Sequence, residues 1–452
     1  MSSAHPADSA IFGHLWTTPE ASALFSDEGR TQAWLGILAA LARAQADVGL
    51  VPAAAADAIT AHADVSRLDL DLVAEHTRAS GHSTVGLIRA LRQILPDHAR
   101  EWVYYGATVQ DLSDTWFALV FRAVGDIAER DVTRMRDAAL RLAGRYRDTP
   151  MCGRTHGQAG LPITFGFKAA VWAAELDRHL DRLRQGRPRW EVVQLGGALG
   201  TMEFWGGRAL ELLAGFARQL GLGVPVVPWI TARDGVAEFA WLLAAMSATM
   251  AKIGNEVYQL QRPEIGELRE SFTPGTVGSI TMPHKRNPEI SEHLVTLSRV
   301  VRAQAGTALD GMVCEHERDG RAWKAEWLVV PEASMAFAAC AGSGARMLDG
   351  LQADPGRMLR NIDAHRGYLL SEPVMRALAD RIGKHSAHDS VYAAAMHGID
   401  ADEDFRAALR DDPRLDAIPD PELDELLQVR SALGSCATFV DRVCQSCSGT
   451  GQ

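Results

Sequence analysis

The chain has 452 residues, long enough for more than one domain and a large core. A net charge of −11 argues against a nucleic-acid binder but leaves room for a local basic pocket that holds an anion, and the hydrophobic (47%) and charged (23%) shares are those of a globular chain. The opening MSSAHPADSAIFGHLW lacks the basic start and apolar core of a secretory signal, and no uninterrupted apolar run reaches membrane-spanning length, so no membrane is expected and the cytoplasm is the default.

In chain order, Thr31 to Val48 carries apolar residues at spacings of three and four and stops at Gly49, which predicts a helix. Trp116 to Ala143, Phe165 to Leu183, Ala237 to Leu260 and Pro288 to Leu309 show the same period. Long helices apolar on more than one face suit a bundle core or a subunit interface. Strand signals are rare: GVPVVPWI, near Gly223 to Ile230, is broken by prolines and reads as a connection. The fold class is all-α. Breaks near the WVYYGAT turn and at Ala353 to Met358 divide the chain into 1–107, 108–352 and 353–452. The six cysteines form no disulfide framework. Cys444 and Cys447 make a lone C-x-x-C in a tail that reads as a frayed terminus rather than a metal or redox site.

The segment GSITMPHKRNP, Gly278 to Pro288, gathers a hydroxyl, an imidazole, two cations and an amide between glycines and prolines. Such a loop can wrap an anionic ligand and set a base beside it; a merely basic surface loop is the bland alternative. Lys285 and Asn287 are natural carboxylate partners, one a point charge and one an amide donor. Removing a proton from a carbon next to a carboxylate needs a base within reach and donors for the developing charge. Four further segments stand out: ASGHSTVGLIRAL around His82, VYYGATVQDLSDT from Val103, GRTHGQAGLPITFGFK from Gly153, and CEHERDGRAWKAEW from Cys314. Each also fits a turn, a cap or a charged helix end. QLGGALGT, from Gln194, is glycine-rich but lacks the ending of a phosphate loop.

Together these segments resemble the fumarase/aspartase superfamily, in its adenylosuccinate lyase and 3-carboxy-cis,cis-muconate cycloisomerase-like branch. The 278–288 loop is similar to G-S-S-x-M-P-x-K-x-N-P, with Ile280 at the second serine. Gly153 to Lys168 is similar to R-T-H-x-Q-x-x-x-P-x-T-x-G-x-K. Val103 to Thr115 is similar to H-[YW]-G-x-T-S-x-D-x-x-D-T, with Tyr104 for the histidine and Val109 for the serine. E-H-E-R followed by W-x-A-E-W looks cycloisomerase-like, as does the N-terminal region, which lacks the Arg-Tyr start that adenylosuccinate lyases use for a nucleotide phosphate.

The resemblance implies three helical domains, with the long central helices forming the core of a homotetramer whose active sites are shared between subunits. It implies Ser279 as catalytic base and His156 as general acid toward the leaving group, imidazole titrating near neutrality. It implies His82, Tyr104, Thr108, Thr155, Met282, Lys285 and Asn287 around a small dicarboxylate substrate. No metal, flavin or nicotinamide is implied. The expected reaction is anti β-elimination with C–N cleavage from a succinate-like substrate, releasing fumarate; nitrosuccinate is one specialised candidate, because Val109 and Ile280 remove hydroxyl donors. The alternatives are muconate cycloisomerisation, adenylosuccinate cleavage and a non-catalytic structural homologue.

Overall fold

The computed structural model describes residues 4–272, 275 and 278–448. It is helical throughout apart from two small antiparallel strand pairs, as the all-α reading requires. Five long helices dominate: Val109–Arg145, Phe165–Trp190, Asp234–Gln261, Glu289–Asp310 and Gly320–Asp349. The sequence located the first four to within a turn or two at each end. The fifth was read only as a charged helix end at Cys314 to Trp327, because its opening charges mask the apolar run that follows.

The chain divides into two compact units: residues 1–131, 179–250 and 294–342, and residues 132–178, 251–293 and 343–452. The divisions fall inside the five long helices, each of which gives one part to each unit.

In the first unit, Ser26 caps the Asp27–Asp47 helix by accepting from the Gly29 N–H at 3.0 Å, and two acidic residues occupy the first turn. That helix buries Trp34 in an aromatic row. Trp323, Trp327, Trp34 and Trp116 meet edge to face, with centroids 5.5, 5.8 and 6.4 Å apart.

In the second unit, the helices Ser371–Ile382 and Lys384–Asp400 close around Val374, Leu378, Val391, Phe405 and Leu409. Arg147 holds Asp441 of the final helix, Cys436–Ser448, through bonds of 2.6 and 2.8 Å. The tail is therefore ordered helix through Ser448 rather than frayed. Burial pushes the Cys447 thiol up to about 11, which disfavours a reactive thiolate.

The unit also holds an unanticipated β-hairpin, Pro150–Thr155 with Gln158–Thr164. Thr155 pairs with Gln158 around a two-residue turn in which His156 (φ 53°) and Gly157 (φ 76°) are both left-handed, the turn that suits strand twist. Sequence reasoning missed it because the strands carry glycines and prolines; a bulge at Gly153 absorbs the mismatch, and a Cβ there would lie 2.6 Å from the Leu161 carbonyl.

The helices Asp234–Gln261 and Gly320–Asp349 are long and apolar enough to cross a membrane by length and composition, but 72% of each apolar window is buried in the protein, as in core helices.

Candidate active site

In the first unit, His82, Tyr104 and Thr108 come together at one polar corner. His82 is exposed, and its Nδ1 lies 3.1 Å from the Thr84 hydroxyl. Thr84 is buried and hydrogen-bonds the Tyr104 side chain. Burial, above all, holds the Tyr104 phenol above its usual value, so it stays a neutral donor where the superfamily motif has an imidazole. Tyr104 itself is left-handed (φ 61°), in a turn fixed by the Tyr105 carbonyl, which accepts from Gln45 at 2.6 Å and Trp205 at 3.2 Å. Gly106 completes that turn; a Cβ there would meet the Phe204 ring at 2.3 Å.

Thr108 precedes the Val109–Arg145 helix, and its N–H donates to the Asp111 carboxylate at 2.9 Å. The cap is thus Thr108, with Asp111 three residues on reaching back. Asp111 also accepts from the N–H groups of Gly196 at 2.7 Å and Gly197 at 3.1 Å and from the Gln194 amide at 3.3 Å. These bonds pin the glycine-rich stretch to the helix start. Burial pushes the Asp111 carboxyl up to about 6, and the four N–H donors oppose that rise.

Sequence reasoning did not place Arg318 at the site. Its guanidinium donates to the Thr108 hydroxyl at 2.9 Å and to the Gly197 carbonyl at 3.3 Å, while its buried Nε has no partner among the described residues. The E-H-E-R order was the only signal in the sequence; the 210 residues separating it from Thr108 hid the contact.

Below this corner, Arg233 is fully buried between two carboxylates, bonding Asp114 at 2.8 Å and Glu326 at 2.9 Å. Burial raises both acids, one cation being shared by two anions. Trp323 donates to Ser113 at 3.1 Å, joining the same helices.

In the second unit, the hairpin tip presents Thr155 and His156 to solvent. Arg154, just behind them, is bidentate to the buried Glu267 at 2.8 and 2.9 Å, and Asn361 donates to the same carboxylate at 2.8 Å. Arg154 therefore anchors the hairpin rather than facing a ligand. Lys168 pairs with Glu256 at 2.5 Å, again a helix-to-helix bond.

The loop from Gly278 to Pro288 is open. Ser279 is half-buried, Ile280 is 93% exposed, and Met282 and Lys285 are exposed. The Ser279 Oγ accepts from the Met282 N–H at 3.0 Å, a bond that favours a charged oxygen over a neutral one. The Lys285 N–H returns to the Met282 carbonyl at 2.9 Å, and Gly278 lies so close that a Cβ would be 2.6 Å from the Lys285 carbonyl oxygen. Asn287 donates to Glu289 at 3.1 Å, and Arg286 lies 4.5 Å over the Phe272 ring. The loop ends where Glu270 accepts from the N–H groups of Ile290 (3.1 Å) and Ser291 (2.6 Å) at the next helix. Among the described residues, no hydrogen bond or ion pair joins the His156 tip to this loop. No group of three or more metal-ligating side chains gathers among the described residues.

The chain is similar to several known proteins over nearly its whole length. The family described as Lyase matches residues 15–303, and Adenylosuccinate lyase C-terminus matches residues 367–443. An N-acetyl-S-(2-succino)cysteine lyase from Dickeya dadantii is 37% identical over 99% of this chain and 98% of its own length. A 3-carboxy-cis,cis-muconate cycloisomerase from Pseudomonas aeruginosa is 37% identical over 97% and 96%. The crystal structure of the 3-carboxy-cis,cis-muconate lactonizing enzyme from Pseudomonas putida superposes with a TM-score of 0.89 at 34% identity, covering 97% of this chain and 98% of that one.

Proposed function

Because this chain belongs to the fumarase/aspartase superfamily of lyases, we propose that it catalyses anti β-elimination from a small succinyl compound, releasing fumarate. The Ser279 oxygen takes the proton from the carbon beside a carboxylate. The C–H electron pair passes into that carboxylate, which Lys285 and Asn287 hold. The pair then forms the carbon–carbon double bond as the bond to the leaving group breaks, and the leaving group departs with its own electrons. His156 gives that group a proton when it needs one. Thr155 and Met282 flank these two catalytic positions, while His82, Tyr104, Thr108 and Arg318 form a second polar wall for the substrate's other carboxylate. Four copies assemble, and each active site draws these groups from different subunits.

The single observation that carries this reading is the loop geometry: Ser279 with an N–H aimed at its oxygen, three residues from an exposed turn bearing Lys285. Nitrogen is the first choice of leaving atom, with a small specialised acid such as nitrosuccinate preferred to a nucleotide. Sulfur is the second reading, favoured by the Dickeya relative, whose name specifies a succinylated cysteine.

The deciding experiment presents the purified protein with nitrosuccinate, adenylosuccinate, N-acetyl-S-(2-succino)cysteine and 3-carboxy-cis,cis-muconate. Fumarate formation is followed in the ultraviolet. Fumarate from one succinyl compound is the expected result. Lactone from carboxymuconate, with no fumarate from any succinyl compound, would replace the elimination with cycloisomerisation.

A further inference from the structure

We propose that Thr84 is a positioning residue: it holds His82 in its Nε2–H tautomer, so that the imidazole presents a neutral N–H donor to the substrate's second carboxylate. The identity of that ligand rests on the elimination reading; the tautomer does not.

The connection that carries both residues is short and fixed at each end. Gly81 (φ 64°) ends the Leu70–Ser80 helix, and the Val85–Ile94 helix begins just after Thr84. The Ser80 hydroxyl accepts from the His82 N–H at 3.3 Å. The two helices touch, since a Cβ at Gly86 would lie 2.2 Å from the Thr77 hydroxyl. Thr84 stands at the N-cap, where a threonine ordinarily accepts from an N–H two or three residues on. It makes no such bond, and its backbone is already in the right-handed helical region (φ −105°, ψ −20°). Its hydroxyl lies instead 3.1 Å from His82 Nδ1 and bonds the Tyr104 side chain. Thr84 is only 1% exposed, so bulk water cannot replace either partner.

The backbone decides the tautomer. The Thr84 N–H, which can only donate, points at His82 Nδ1 across 3.4 Å. A hydrogen on Nδ1 would meet that N–H head on, so Nδ1 is the bare nitrogen and the ring proton sits on Nε2. A bond of that length is weak, and the shorter one from the hydroxyl does the holding. With its O–H on Nδ1, the Thr84 oxygen is left to accept from the Tyr104 O–H, which burial keeps protonated. The donors thus run one way, from Tyr104 to Thr84 to His82. No carboxylate, which would draw the proton to Nδ1, bonds the ring among the described residues. His82 is exposed, and Nε2 lies across the ring from Nδ1, so the last donor of the chain is open to a ligand. It joins a corner that already holds the Arg318 guanidinium on Thr108, and donors beside a cation complement a carboxylate.

Two measurements on the full-length protein separate the tautomer from its ligand. The first is magic-angle-spinning NMR of protein labelled with ¹³C,¹⁵N-histidine, the His82 signals being those lost in His82→Gln. A protonated Nε2 and a bare, hydrogen-bonded Nδ1 are expected. Thr84→Ser keeps the hydroxyl and should keep that spectrum. Thr84→Val keeps the shape but not the hydroxyl, and should move the Nδ1 signal to that of an unbonded ring nitrogen. The second is calorimetric titration with fumarate. The amide nitrogen of a glutamine reaches the place of Nε2–H, whereas that of an asparagine reaches only the place of Nδ1. His82→Gln should therefore bind fumarate about tenfold more tightly than His82→Asn, and Thr84→Val about tenfold more weakly than Thr84→Ser. A protonated Nδ1 in the wild type, an Nδ1 signal unmoved in Thr84→Val, or equal fumarate affinity in His82→Gln and His82→Asn would each overturn the proposal. A wild type that shows the expected tautomer but binds no fumarate would count against the elimination reading instead, because the spectrum is taken without ligand.

Discussion

Arg318 changes how the Thr108 hydroxyl works. By resemblance, this position offers a hydroxyl pair to a substrate carboxylate, and Val109 has removed one member. The guanidinium that donates to Thr108 brings a cation and further donors to the same place. It also grips the Gly197 carbonyl, which an ammonium cannot do in the same forked geometry. Arg318→Lys is therefore expected to raise KM by about tenfold, roughly 1.4 kcal/mol, with a smaller change in kcat; unchanged steady-state constants would remove Arg318 from the site. Asp111 raises a different question, whether burial or its four N–H donors wins. With its carboxyl raised to about 6, the folded chain takes up a proton near pH 6 that the unfolded chain takes up only near about pH 4. Through this group alone, stability rises as pH falls between those values. The urea stability of the wild type relative to Asp111→Asn, which cannot titrate, should thus grow by about 2 kcal/mol as pH is lowered from 7 to 4. A gap that narrows instead would mean that the donors dominate and that the carboxyl is depressed.

At the scale of the element, the hairpin and the 278–288 loop depend on backbone that other residues would not tolerate. His156 reaches solvent because a tight turn of two left-handed residues lifts it there, and the Arg154–Glu267 pair fixes the strands beneath. In the loop, Gly278 allows the chain to pass the Lys285 carbonyl. A methyl at Gly278 would force that carbonyl aside and move Ser279 relative to Lys285. Since misplacement by about 1 Å can cost on the order of 10²-fold in rate, Gly278→Ala should lower kcat by about that factor. The loop is exposed, so the circular dichroism and melting temperature should match the wild type. Wild-type turnover would show that the loop's fine geometry is irrelevant to the chemistry.

At the scale of the whole molecule, the proposed tetramer makes a prediction that a self-contained subunit cannot satisfy. Ser279→Ala removes the base and should lose about 10²–10⁴-fold in rate. His156→Asn removes the acid and should lose as much with an amine leaving group, which needs a proton, and far less with nitrite, so the exchange is assayed with an amine-releasing substrate. If Ser279 and His156 of one active site come from different chains, mixed assemblies contain some sites free of both substitutions. Subunit exchange between the two variants, followed by fumarate assay, should recover a fraction of wild-type activity. A monomer by sedimentation, or exchange without recovery, would place each site within one chain.

Much of this protein was legible from sequence. The periods of Thr31 to Val48 and of the central segments gave the helices, because an amphipathic stripe is written in residues three and four apart. The superfamily followed from motifs contiguous in the chain, above all Gly278 to Pro288 and Gly153 to Lys168, whose chemistry needs its residues in fixed order. The tertiary structure decided what depends on residues far apart. Arg233 meets Asp114 across 119 residues and Glu326 across 93, Arg318 meets Thr108 across 210, and Asp111 gathers N–H groups from Gly196 and Gly197. No local period encodes such pairs; burial selects them, since a charge taken out of water must meet its complement wherever the fold brings it. The hairpin under His156 escaped for a related reason: its glycines and prolines oppose strand propensity, and only the Arg154–Glu267 anchor and the left-handed turn make those residues a strand pair.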